Sequence, residues 1–305
     1  MGEFEQATIG GTVTFSGVCV HSGESSQLTL RAGPANSGIL FRRIDLADTV
    51  TAEGLLIPAD PQLVTQAQLG TRIENAAGVS VSTVEHLMAA LAICGIDNVI
   101  AEIDGAELPI MDGSASPFVE KILEAGLCKL GEPQRIIPVE VALEERDGDR
   151  FIRIEPAPDR LLNVTIDFDD PMIGKQSVSL NLDDGPALLK RVAPARTFCR
   201  LPDIEAMRTA GFARGGSLAN AIVVDNGRML NEEGLRDPVE FALHKALDLL
   251  GDFHLLGGQV CGHITAYKPG HDLNTRMARR LARNGASRAN AGAQSTNVNA
   301  PRLTA

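Results

Sequence analysis

Two segments of this chain carry side chains suited to metal-assisted hydrolysis. His244 and Asp248 stand four residues apart, so on a helix they project from one face. A histidine and a carboxylate one turn apart can share a metal ion. The same spacing also suits a plain His–Asp pair on a solvated face. Glu85 and His86 lie in Ser82 to Cys94, where apolar or small residues occupy nearly every side, so the spacing predicts a buried helix. Burying a charge or an imidazole without a partner costs roughly several kcal/mol. Read alone, Glu85 is a capping-box residue and His86 a hydrogen-bonded core histidine. Read with the second segment, His86, His244 and Asp248 form a set of three ligands. Two imidazoles and one carboxylate suit Zn2+. Three protein ligands leave a fourth position for water, which then ionises near about pH 7 rather than about 16. Glu85, beside the set, is the carboxylate available to take a proton. HExxH does not occur, so the familiar zinc protease pattern is absent.

A third cluster is Tyr267-Lys268-Pro269-Gly270-His271-Asp272. His271 follows a predicted strand and a Pro-Gly turn and precedes a helix, a good place for a loop-borne acid. An exposed loop histidine is the plain alternative. Asp252, just past Gly251, could orient an imidazolium and raise its pKa, or simply close a helical turn. His21, His254 and His263 have no comparable context and receive no role.

The elements that must hold these residues read as strands and helices in two rounds. Thr12–Phe15 and Gln27–Leu30 alternate polar and apolar around a glycine-rich turn. A helix is predicted from Ser82, with Ser82-Thr83-Val84-Glu85 as capping box, then a strand at Asn98–Ile103 and a helix at Ser116–Ala125 with Pro117 in its first turn. Residues 1–126 form domain I. Gly131 and Pro133 mark 127–135 as a linker. In domain II, 136–284, strands are predicted at Val139–Leu143, Phe151–Ile154, Leu162–Phe168 and Ile264–Tyr267. Its helices run from Asp237 to about Leu250, with Asp237 as N-cap and Glu240 as capping-box partner, and from Leu273 to Arg283. The class is α+β, with two layers of similar build. The stretch 285–305 is small and polar and is expected to be a disordered tail.

Composition narrows the function. The 305 residues carry 28 Lys and Arg against 39 Asp and Glu, a net charge of −11, which argues against a nucleic-acid partner. The longest apolar run, Leu87 to Ile96, is far short of the roughly 20 residues that span a bilayer, so an integral membrane protein is not expected. Five cysteines without a CxxC pair, and an N-terminus without a basic and apolar leader, point to the cytoplasm. With no Trp and one Tyr, a ligand site must rely on Phe, backbone and charged groups.

Seven motifs occur in one order: Ser82-Thr83-Val84-Glu85-His86-Leu87; Leu108-Pro109-Ile110-Met111-Asp112-Gly113-Ser114-Ala115; Ala195-Arg196-Thr197-Phe198; Gly215-Gly216-Ser217-Leu218 with Asn220-Ala221-Ile222-Val223; Asn231-Glu232-Glu233-Gly234-Leu235-Arg236; His244-Lys245-Ala246-Leu247-Asp248; and Thr265-Ala266-Tyr267-Lys268-Pro269-Gly270-His271. From about Thr8 to Leu281 the chain resembles the UDP-3-O-acyl-N-acetylglucosamine deacetylases of lipid A biosynthesis. The resemblance implies two similar domains, each with a β-sheet and a helix layer, with the helix layers packed against each other and the active site in the seam. It implies zinc on His86, His244 and Asp248, Glu85 as general base and His271 as general acid. It further implies Thr197 at the oxyanion, Phe198 against the sugar, Lys245 near polar substrate groups and Asp252 behind His271. An inserted βαβ unit at about 195–225 would make a passage for the acyl chain, lined by Ile204, Met207, Phe212, Leu218 and Val223, or those residues are ordinary core. The implied substrate is UDP-3-O-acyl-N-acetylglucosamine, the product acetate, and the enzyme a monomer.

Two departures stand out. Cys19 replaces a glycine of the family's early Gly-rich turn, and Pro138-Val139-Glu140 lacks the lysine that some members carry there. The rival readings are another zinc amidohydrolase, which would ignore acylated UDP-sugar, and a non-catalytic nucleotide-sugar or lipid-binding protein. Glu85, His271 and Thr197 argue against the second.

Overall fold

The computed structural model describes residues 5–295. Two sheets share one wiring. In the first, Val13–Val18 and Ser25–Ala32 form a hairpin. Val99–Ile103 lies antiparallel to Ser25–Ala32 and parallel to Ile39–Arg43, and Leu56–Pro58 closes the far edge. In the second, Leu143–Asp147 and Arg150–Glu155 form the hairpin. Gln259–Tyr267 then lies antiparallel to Arg150–Glu155 and parallel to Arg160–Asp167, with Lys175–Asn181 outside. Ile136–Pro138 adds a short parallel strand beside Gln259–Cys261.

A parallel pair needs a long crossover, and each half places a helix in it. Helix α1, Glu85–Cys94, precedes the central strand of the first sheet. Helix α2, Ser116–Ala125, follows that strand. In the second half, helix α3, Leu201–Thr209, belongs to an insertion. Helix α4, Glu240–His254, precedes the central strand, and helix α5, His271–Ser295, follows it. The central strand Gln259–Tyr267 alternates buried and half-buried residues, as a strand with one covered face should. One continuous apolar core runs from Phe15, Phe41 and Leu87 in the first half to Phe241, Leu247 and Ile264 in the second.

Helices α1 and α4 meet in the seam. A Cβ on Gly251 would lie 2.1 Å from the Glu85 carbonyl oxygen, so only glycine permits this approach. Every residue of α1 from Glu85 to Leu91 is buried, and Gly95 ends the helix with φ +67°. No helix among the described residues is long and apolar enough to cross a membrane.

Several expectations need correction. The segment read as a linker is a strand: Leu127–Pro133 pairs antiparallel with Glu5–Ile9, and Gly131 and Pro133 are accommodated at its exposed edge. Ser82 caps nothing, because α1 begins at Glu85, and the Glu85 carboxylate turns away to Thr71. The strand expected at Val139–Leu143 lies at Leu143–Asp147. Asp237 is not the N-cap, because α4 begins at Glu240 after Val239; its carboxylate accepts from the Val239 amide ahead of the helix, and Glu240 bonds the Arg236 amide and the Arg196 side chain instead of closing a capping box. Helix α5 continues to Ser295, past the expected start of a disordered tail at 285, and 296–305 lie outside the described residues. The insertion does contain a βαβ unit: Phe198–Arg200 and Ile222–Asp225 are parallel, with α3 between them. Cys19 is buried and is absent from the positive-φ residues, so its turn needs no glycine there.

Candidate active site

Three donors converge from α1 and α4. One ligand atom each of His86, His244 and Asp248 lies within 4.8 Å of the other two, and all three residues are buried. His244 Nε2 stands 3.3 Å, and His86 Nε2 3.8 Å, from Asp248 Oδ1. That oxygen has no hydrogen-bond partner among the described residues. An orphaned, buried carboxylate oxygen facing two imidazole nitrogens fits a divalent cation and is costly without one. The His244 ring is oriented from behind: Nδ1 donates to the Ala195 carbonyl at 3.1 Å, which leaves the Nε2 lone pair toward the gap. Burial lowers the pKa of both imidazoles, with each also affected by its neighbours' charge, and His86 falls to about 3. Both are therefore neutral and available as ligands. Burial works against the Asp248 carboxylate, but His244, Lys245 and His271 hold its pKa well below the usual range.

Glu85 and His271 face the same cavity. It is open, about 490 Å³, and is also lined by Leu69, Arg150, Thr197, Phe198 and Lys245. Glu85 Oε1 is 4.0 Å from His271 Nε2. Burial raises the Glu85 carboxyl to about 7; the His271 charge opposes this, and Asp252 and Asp248 add to it. For His271, burial disfavours the charged ring, but the carboxylates of Asp252, Asp248 and Glu85 outweigh it and lift the pKa to about 10. The Asp252 contact is direct, with His271 Nδ1 donating to Oδ2 at 2.9 Å. Nε2–H therefore points into the cavity, 3.9 Å from Asp248 Oδ2.

Thr197 and Phe198 follow Ala195 on one held segment. Arg196 is buried and pairs with the fully buried Glu240 at 2.9 Å. The Thr197 amide donates to the Gly113 carbonyl at 2.8 Å. Gly113 has φ +83°, and a Cβ there would sit 2.1 Å from the Asn220 carbonyl oxygen, so this contact requires glycine. The Phe198 ring stands edge-on to His244 at 6.1 Å, with the Lys245 ammonium 5.5 Å from its centroid. Lys245 also bonds Asp248 Oδ2 at 2.8 Å. The residues expected along the acyl passage lie outside this cavity. Ile204 and Met207 are half-buried on α3, Leu218 is exposed and Val223 is buried. Phe212 packs edge-on against His21 in an adjoining pocket.

Two residues at the site receive no role from the sequence. Thr71, fully buried, donates its amide to Glu85 Oε2 at 2.9 Å and its hydroxyl to Asp252 Oδ1 at 2.6 Å. His21 bridges the Leu69 carbonyl at 3.0 Å and the Ala213 amide at 3.4 Å, joining the cavity rim to the insertion. Thr71 is a lone polar residue that no periodicity marks, whereas His21 lies in the early Gly-rich turn beside Cys19, a pattern that by itself assigns it no chemistry.

Comparison with known proteins agrees with this geometry. The family model described as LpxC, UDP-3-O-acyl N-acetylglycosamine deacetylase, matches residues 6–283. A UDP-3-O-acyl-N-acetylglucosamine deacetylase of Anaeromyxobacter sp. (strain Fw109-5) is 47% identical over 278 residues, 91% of this chain and 88% of the relative. The protein of that name from Xanthomonas euvesicatoria pv. vesicatoria (strain 85-10) is 44% identical over 278 residues, 91% and 90% of the two chains. Another from Pseudoalteromonas atlantica (strain T6c / ATCC BAA-1087) is 43% identical over 281 residues, 92% and 91%. The coverage is nearly complete on both sides, and the chain belongs to the UDP-3-O-acyl-N-acetylglucosamine deacetylase family.

Proposed function

We propose that this chain hydrolyses the acetamide of UDP-3-O-acyl-N-acetylglucosamine, releasing acetate and the free amine, a step of lipid A biosynthesis. The carrying observation is the orphaned Asp248 Oδ1 facing two imidazoles, with Glu85 and His271 opposed across the same cavity.

His86, His244 and Asp248 would hold Zn2+, which when bound supplies Lewis acidity toward water and the acetamide oxygen. Glu85 Oε1 accepts the proton of the attacking water, since Oε2 is occupied by the Thr71 amide. The water oxygen adds to the acetyl carbon, and the C–N bond breaks. His271 Nε2–H, backed by Asp252, protonates the departing nitrogen. Thr197 stabilises the developing oxyanion from the segment that Arg196 and Glu240 hold. Phe198 presents an apolar face to the sugar, and Lys245 offers positive charge at the cavity edge. Ile204, Met207, Phe212 and Leu218, on and after α3, take the acyl chain outside the cavity. The enzyme acts as a monomer in the cytoplasm.

The test is release of acetate from UDP-3-O-acyl-N-acetylglucosamine by purified protein, with its metal content measured alongside. Stoichiometric zinc and turnover support the reading. Absence of acetate release from metal-replete protein sinks it, and equal turnover of unacylated N-acetylglucosamine would make it a broader amidohydrolase.

A further inference from the structure

We infer that Thr71 is a positioning residue that locks Glu85 and the Asp252–His271 pair into one frame across the seam; this rests on the proposed reading of those residues. Every polar group of Thr71 is committed there. Its carbonyl accepts from the Val84 amide at 3.3 Å, and its amide donates to Glu85 Oε2 at 2.9 Å, so it grips the start of α1 twice. Its hydroxyl donates to Asp252 Oδ1 at 2.6 Å, on α4, and its oxygen lies 3.3 Å from His271 Nδ1, within reach of that N–H. Asp252 Oδ2 is thereby left for His271 Nδ1 at 2.9 Å and Asn274 Nδ2 at 2.8 Å.

The arrangement selects which atoms can react. With Oε2 tied to a backbone amide, the Glu85 carboxylate presents Oε1 to the cavity. With Oδ1 tied to a hydroxyl, Asp252 presents Oδ2 to the imidazole, which sets the ring plane and turns Nε2 toward Glu85. Gly70 permits this closeness, since a Cβ there would stand 3.2 Å from Glu85 Oε1. A residue that orients a base and an acid together should affect turnover far more than substrate affinity.

The experiment compares Thr71→Val, which keeps the shape and loses the hydroxyl, with Thr71→Ser, which keeps the hydroxyl. Both are made in the metal-replete, full-length enzyme. Thr71→Val is expected to lower kcat by roughly ten- to hundredfold, with KM within about twofold and metal content unchanged. Thr71→Ser should stay within about threefold of the parent. Equal losses in both variants, or a loss carried by KM, would overturn the inference. A second readout needs no turnover: the His271 Nδ1–H proton resonance should move in Thr71→Val and hold its position in Thr71→Ser. A resonance unmoved in Thr71→Val overturns the inference even if activity falls. If the parent enzyme releases no acetate while the resonance still moves, the positioning role stands and the reading of the reaction fails.

Discussion

Glu85 Oε1 and His271 Nε2 face each other at 4.0 Å, with the Asp248 carboxylate beside both. A base and an acid so placed need opposite protonation states. Glu85 must be ionised, and its carboxyl lies up at about 7; His271 must be protonated, and its imidazole lies up at about 10. Activity therefore rises as Glu85 loses its proton and falls as His271 loses its own. A bound dication lowers both values, so the limbs of kcat/KM fall at or below those two positions. A pH profile of kcat/KM checks this, and a rate that rises monotonically with pH would contradict it.

Removing the base should separate chemistry from metal binding. Glu85→Ala is expected to lose roughly 10²- to 10⁴-fold in kcat. Its metal stoichiometry should match the parent's, because Glu85 is not among the three clustered donors. Metal analysis and acetate release on the same preparation make the comparison.

Removing a donor should do the reverse. His86→Ala and Asp248→Ala lose metal as well as turnover, since each leaves two of three protein ligands. Chelator treatment of the parent should abolish activity, and added zinc should restore it. The same addition should fail to restore either variant at equal zinc concentration.

Glu240→Ala should be costly for stability. Its carboxylate is fully buried and binds both the Arg196 side chain and the Arg236 amide. Losing it removes the buried partner of Arg196, which keeps only the more exposed Glu233 and the Gly234 carbonyl, and strands the Arg236 amide, at a cost of up to about 3–5 kcal/mol. Denaturant unfolding reads this directly. A midpoint unchanged from the parent would show that the pair does not hold the Ala195–Phe198 segment.

The three-donor cluster is legible because helical spacing brings His244 and Asp248 to one face, and because Glu85 and His86 in a buried helix demand an explanation. The fold class was legible from two rounds of strands and helices. The segment 127–135 reads as a linker because Gly131 and Pro133 resemble a break, whereas the edge strand Leu127–Pro133 holds both. Glu85 resembled a capping residue because its spacing from Ser82 fits, yet its carboxylate is drawn to an amide fourteen positions upstream. Thr71 acts through contacts between distant segments, which local pattern cannot encode, and His21, though it lies in the early Gly-rich turn, meets Leu69 and Ala213 only in the folded chain.

The repeated wiring of the two sheets has a consequence for how such a centre can arise. Helices α1 and α4 occupy equivalent places, yet one brings a glutamate and an imidazole and the other an imidazole and an aspartate. Two identical copies, related by a symmetry axis, would set like residues opposite like and leave the centre without its division of labour. The chemistry thus depends on divergence between matching helices, and neither unit on its own carries more than a fragment of it.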